Sequence, residues 1–440
     1  MFNLGTRLKS IFSEETIKIS ILAICFFITT GSYTLIKEIK DTIFMVKIGK
    51  EYIPDVKTMA FFFIIPLAFF YSFITSRIKK HLVLMFFAFL YAIIGLIFSF
   101  VLENIIIKNI ISYNDKIIIW FFYLFFEGYM AFVVGSLWAF LNFISFPTDL
   151  KNNYMKMTIA FKIGGILFPL IGLLLITKNF LVLTTSINIL KLIFLSNLLI
   201  PILIIFMKKI LNSNNFIGYT MESIDSTNKN NFGISIFFKH HYVFCIFGLS
   251  FLWEVTNVIF NYMRLGIALE GTNNNINEVL NFLFKDALFA NIIGLILVIF
   301  GTSIIVRYFS LTTALCMVPI MTGLSIIFYL LFPQKNILII VNMILRAIHF
   351  SFAKPLNESL YIPTTSEIKF QSKSFIESMG SKISKGIGST YNKIIQFFNP
   401  EIIFNIHITF FLIITFLWIL DSYYLGLYWE KTIKDKKIIK

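Results

Sequence analysis

Two apolar stretches, 117–146 and 242–262, carry one carboxylate each, Glu127 and Glu254, and neither stretch holds a cation to neutralise it. An ionised side chain near the middle of a bilayer costs about 3 kcal/mol on insertion scales, so such groups face a bundle interior, a water-filled cavity or a substrate. The chemistry they point to is electrostatic. Cations placed along a cavity hold an anionic solute, and carboxylates couple its binding to movement. Candidate cations are Lys37, Lys40 and Lys57 around the end of the first apolar run, Lys162, Lys285, Arg346, Lys354, and Lys382 with Lys385. Other chemistries find less support. The phosphate-cradling pattern G-x-x-x-x-G-K-[ST] is missing, since Gly49-Lys50 lacks the preceding glycine, and this argues against an ATP-driven pump. The His240-His241 pair sits at a loop edge, His349 and His407 stand alone, and Cys25, Cys245 and Cys316 are widely spaced within apolar segments. Neither set makes a metal site or a disulfide framework, and no cofactor is expected.

The elements that must position these charges are membrane helices. Mean hydropathy is +0.83 and 58% of residues are hydrophobic, while only 14% are charged. Soluble domains average about 45–50% apolar and a quarter charged, so a soluble core could not hide this surface. The net charge of +15 would point to nucleic acid in a soluble protein, but here the positives gather in loops and tails, as in cytoplasmic loops of membrane proteins. No nucleic-acid partner is expected. The first apolar run, 19–36, is long enough to span and lacks a small-residue cleavage site after it, unlike a cleavable signal.

Runs of about 20 apolar residues occur near 19–36, 58–76, 81–102, 117–146, 157–176, 186–207, 242–262, 282–306, 309–332, 335–353 and 402–428. Eleven spans conflict with the charges. Arg7 and Lys9, the turn Arg77 to Lys80, the linker Lys208 to His241, and the tail with Lys431, Lys434, Lys436, Lys437 and Lys440 all belong inside by the positive-inside rule. One more span reconciles them. The segment 374–396 supplies it: Phe375, Met379, Ile383, Ile387 and Tyr391 recur every four residues as one stripe, opposite a polar side with Gly380, Ser381, Lys382, Ser384, Lys385, Gly388 and Ser389.

The sequence therefore predicts an all-α polytopic membrane protein of about twelve transmembrane helices in a six-plus-six, major-facilitator-like arrangement. An N-terminal half, 1–207, a cytoplasmic linker, 208–241, and a C-terminal half, 242–440, would place a solute site between the halves near the midplane, with both termini cytoplasmic. The halves echo each other: Phe146-Pro147, Lys151, Tyr154 and the run Phe161 to Gly165 parallel Arg346 to Ala353, Pro355, Tyr361, Lys369 and the Phe375 to Lys382 helix.

Four ordered blocks resemble the ATP/ADP translocases of plastids and obligate intracellular bacteria, a family distinct from mitochondrial carriers. They are Tyr33 to Thr42 followed by Ile53-Pro54-Asp55-Val56-Lys57; Glu127 followed by Gly135 to Asn142; Glu254-Val255-Thr256; and Pro355 to Pro363, continuing through Glu367, Lys369, Lys373 and Gly380-Ser381-Lys382 to Gly388-Ser389. The resemblance runs from the first helix to the eleventh. It implies a twelve-helix transporter in the cell membrane of an intracellular bacterium, exchanging ATP for ADP or taking up nucleotides, with nucleotides and the lipid bilayer as its partners. In that family the charged residues matching Lys40, Glu127 and Glu254 matter for transport, and the last block brings in Glu358 and Lys382. Two departures touch specificity. Asn357 stands before Glu358 where the family has lysine, with Lys354 where it has aspartate, and Asn257-Val258 replaces the usual Trp-Lys after Thr256. Lys354 and Arg346, about two turns apart, would then supply the missing charge; a less charged solute is the alternative. Trp138 and Tyr361 could stack a purine or serve as interfacial anchors.

Overall fold

In lipid a backbone has no water to bond, so each apolar run must close its hydrogen bonds internally as a helix. The computed structural model is helical accordingly. It describes residues 14–108, 110–144, 150–178, 184–210, 241–297, 309–361, 363–364, 376 and 380–435; at 72, 76, 142, 150–155, 350, 351, 354, 355, 358 and 400 it describes the backbone alone. The helices are α1 (Glu14–Lys47), α2 (Ile53–Arg77), α3 (Lys80–Ile107), α4 (Tyr113–Glu127), α5 (Gly135–Ile144), α6 (Leu150–Lys178), α7 (Thr185–Asn197), α8 (Leu199–Ile210), α9 (His241–Leu269), α10 (Ile276–Ile296), α11 (Leu311–Leu331), α12 (Lys335–Ile348), α13 (Lys354–Leu360), α14 (Ser381–Ile395) and α15 (Pro400–Lys434). A π-helical turn, Met130–Val134, joins α4 to α5, and a second, His349–Ala353, joins α12 to α13. Among the described residues ten helices are long and apolar enough to cross a membrane. The two remaining rods are α12 to α13 and α14.

Apolar side chains cover the outside as well as the core. Phe69 is 71% exposed and Phe416 is 61% exposed, a pattern stable against lipid and costly against water. Helix α14 shows the division plainly: Ile383 and Ile387 are exposed, whereas Ser384, Gly388, Ser389 and Asn392 are buried. Its polar side turns inward and its apolar stripe outward, as the four-residue spacing predicts. The first part of the predicted span, residues 374, 375 and 377–379, lies outside the described residues.

The chain forms two compact units. One comprises Met1–Lys50, Phe62–Ile224 and Gly271–Asn291; the other comprises Glu51–Phe61, Asp225–Glu270 and Ile292–Lys440. In the first, α1 packs along α6, and α3 along α7; in the second, α9 packs along α14, and α11 along α15. Each unit thus pairs its first rod with its fifth and its third with its sixth. Glycine sets the closest of these approaches. A Cβ at Gly164 of α6 would stand 2.3 Å from the Phe27 carbonyl oxygen of α1, and one at Gly388 of α14 would stand 3.2 Å from the Val255 carbonyl oxygen of α9. Within the second unit the start of α2 is held by Lys393, whose ammonium lies 2.7 Å from Asp55 Oδ2, and Gln396 Nε2 donates to the Tyr262 hydroxyl at 2.7 Å.

Candidate functional site

Helix α4 begins with a capping box. The Ser112 hydroxyl accepts from the Asp115 N–H, and the Asp115 carboxylate accepts from the Ser112 N–H, satisfying two donors that a helix start leaves open. Lys108 adds an ion pair to Asp115 at 3.0 Å. From this fixed start the helix carries Tyr123 and Glu127, four residues apart and on one face, towards α1.

There they meet Lys40. Its ammonium is 2.9 Å from Glu127 Oε2, 2.9 Å from Asp41 Oδ1 and 3.6 Å from the centre of the Tyr123 ring. The Lys40 side chain is 5% exposed, Asp41 1% and Glu127 18%, so one buried cation is shared between two carboxylates under an aromatic face. Glu127 is isolated within its own stretch, but the fold supplies the cation from another helix. Charges taken out of water hold together only when paired in this way. One turn earlier on α1, Lys37 and buried Glu38 lie 3.9 Å apart.

In the second unit Glu254 lies on α9. The Ser381 hydroxyl of α14 donates to its Oε1 at 3.4 Å, while Oε2 is buried without a hydrogen bond. Arg346, near the end of α12, donates from Nη2 to Asn261 Oδ1 of α9 at 3.3 Å. Lys382 and Lys385 are half-buried on α14. Lys354 and Glu358 fall on α13, but their side chains lie outside the described residues, as do Glu367, Lys369 and Lys373 entirely. Of the other sequence candidates, Lys162 is buried on α6, Lys37 and Lys57 are half-buried, and Lys285 is exposed on α10. The structure therefore brings together Lys40 with Glu127, and Arg346 with Asn261.

The aromatic candidates are engaged in packing. Trp138 meets Phe26 edge-on at 4.5 Å, and Tyr361 is buried in the core of the second unit. His349 stacks on Trp253 at 4.1 Å, and His407 Nδ1 lies 2.8 Å from the Tyr391 hydroxyl.

Four participants were not singled out from sequence. Asp41 directly follows Lys40, and neighbours on a helix do not normally face each other. Tyr123 is four residues before Glu127, a legible spacing. Asn261 is neutral and carries no signal of its own. Asp421 meets the very criterion that picked Glu127, being the single charged residue in 402–428. It lies on α15 against Gly248 of α9, where a Cβ would stand 2.6 Å from its Oδ2.

The same architecture occurs in solved transporters. The chain superposes on a D-xylose–proton symporter with a TM-score of 0.66 at 10% identity, covering 94% of this chain and 97% of that one. It matches a bacterial homologue of the human lysosomal transporter Spinster, inward-facing and unoccupied, at 0.62 and 12%, covering 96% and 98%. The nucleoside transporter NupG matches at 0.58 and 13%, covering 96% and 100%. The chain has a major-facilitator-like fold. No family model and no curated protein sequence matches it.

Proposed function

We propose that this chain is a membrane transporter that exchanges ATP for ADP by alternating access, without hydrolysis, the substrate gradients supplying the drive. The observation that carries the reading is the Lys40 cluster. A lysine held by Glu127 and Asp41 inside an apolar bundle occurs in the block that resembles the nucleotide translocases. Physically, Lys40 offsets one of the two carboxylates beside it, and an arriving polyphosphate competes with Glu127 for the ammonium. Substrate then substitutes for an internal carboxylate, so Lys40 stays paired in both the empty and the loaded site. The likeness to the nucleoside transporter NupG supports a nucleoside-bearing cargo. Uptake of labelled ATP by intact cells expressing the chain, challenged with a panel of unlabelled nucleotides, tests this. ADP and ATP should compete best and should also drive efflux from preloaded cells; uptake indifferent to both overturns it.

A second reading, proton-coupled nucleotide uptake, draws on Glu254, whose buried Oε2 lacks a hydrogen-bond partner. It requires net uptake that rises with an inward proton gradient, whereas pure exchange is indifferent to that gradient.

A further inference from the structure

The two π-helical turns occupy matching places in their units. Met130–Val134 begins three residues after Glu127, and His349–Ala353 begins three residues after Arg346. Each lies between two α-helical pieces, α4 and α5 or α12 and α13, in the fourth rod of its unit. A π turn widens the backbone ring, and such turns inside helices concentrate at functional sites. From each rod the charged residue ahead of the turn reaches the first rod of its unit. Glu127 meets Lys40 of α1, and Arg346 meets Asn261 of α9. The contact is repeated, with its chemistry changed. In the first unit it is an ion pair. In the second, a neutral amide oxygen accepts one guanidinium N–H and adds no negative charge.

We infer that Arg346 is a phosphate-recognising residue of the second unit and that Asn261 is its positioning residue, setting how strongly the transporter distinguishes nucleotides by their number of phosphates. This rests on the nucleotide-exchange reading. Arginine suits the task because its planar fork bonds two phosphate oxygens at once, provided the plane is fixed. Asn261 can fix that plane. It is 6% exposed on α9, and its Oδ1 lies 3.3 Å from Nη2. An aspartate there would hold the guanidinium more firmly but would cancel the charge that an anion needs. The amide orients it without adding a negative charge of its own.

The test measures ATP, ADP and AMP affinities of the purified full-length chain in nanodiscs, together with its melting curve. Asn261→Ala should weaken ATP by about 10-fold, the size of one hydrogen bond to a charged group, with less effect on ADP and least on AMP. Asn261→Asp should weaken ATP further at an unchanged or higher melting temperature. Arg346→Lys keeps the charge without the fork and should reproduce the Asn261→Ala pattern. Adding Asn261→Ser to Arg346→Lys should then change the ATP-to-AMP ratio no more. That pair also serves if the alanine variant does not fold. Equal losses for the three nucleotides, or independent losses from the two positions, would overturn the inference while leaving exchange intact. A wild-type chain that binds none of the three overturns the exchange reading and this one with it.

Discussion

Removing Lys40 should injure the protein far more than removing Glu127, although the two form one ion pair. Lys40→Met deletes the ammonium that lies 2.9 Å from both Glu127 Oε2 and Asp41 Oδ1, and takes that cation from two carboxylates at once. Breaking a buried pair by deleting one partner costs about 3–5 kcal/mol, and the upper part of that range applies because Asp41 is 1% exposed. Glu127→Gln is milder. Lys40 keeps Asp41 and the Tyr123 ring, and the glutamine oxygen can still accept a hydrogen bond, so only the charge-assisted part is lost, about 1 kcal/mol. The triple change Lys40→Met, Asp41→Asn, Glu127→Gln removes all three charges together. It should recover much of the stability lost by Lys40→Met, since neutral replacements of a whole buried ionic group are often tolerated, yet it should not transport. Thermal unfolding of the four purified proteins in one detergent, beside an exchange assay, gives the order. Glu127→Gln as damaging as Lys40→Met, or a triple variant no more stable than Lys40→Met, would refute the shared-cation account.

Glu254→Gln should sharply reduce exchange while the protein still reaches the membrane, measured by uptake normalised to membrane content. Ser381→Ala should lower stability by at most about 1 kcal/mol, because its 3.4 Å bond is long for a hydroxyl donor; a melt of the purified variant checks this. Gly164→Ala places a Cβ 2.3 Å from a backbone oxygen and should cost about 3 kcal/mol or more. Gly386→Ala on α14 meets nothing within 4 Å and should be neutral or stabilising by about 0.5–1 kcal/mol, which makes it the matched control. A reporter fused after Lys440 should read the cytoplasmic side.

How much of this was legible beforehand depends on the kind of signal. Helix number and the orientation of α14 were legible, because apolar run length and a polar face leave direct marks: Ser384 and Gly388 turned inward while Ile383 and Ile387 turned out. The charge partners were not. Glu127 and Lys40 are far apart in the chain, and only the packing of α4 against α1 brings them within 2.9 Å. The π turns left no mark either. Met130–Val134 is uniformly apolar, with no glycine or proline inside it, and a helix apolar on all sides has no periodic face from which an inserted residue could be read. Asp421 was legible and overlooked, its isolation in an apolar stretch being the same as that of Glu127.

Helix α2 is shared property. Its first residues, up to Phe61, belong to the second unit and the rest, from Phe62, to the first; α10 is divided likewise after Asn291. In α2 the division comes four residues ahead of Pro66, which has no N–H to give the carbonyl of residue 62. The ladder of hydrogen bonds lacks a rung there, so bending of α2 costs least at this point. Lys393, 2.7 Å from Asp55, ties the start of α2 to α14, so the helix is held ahead of its weakest point.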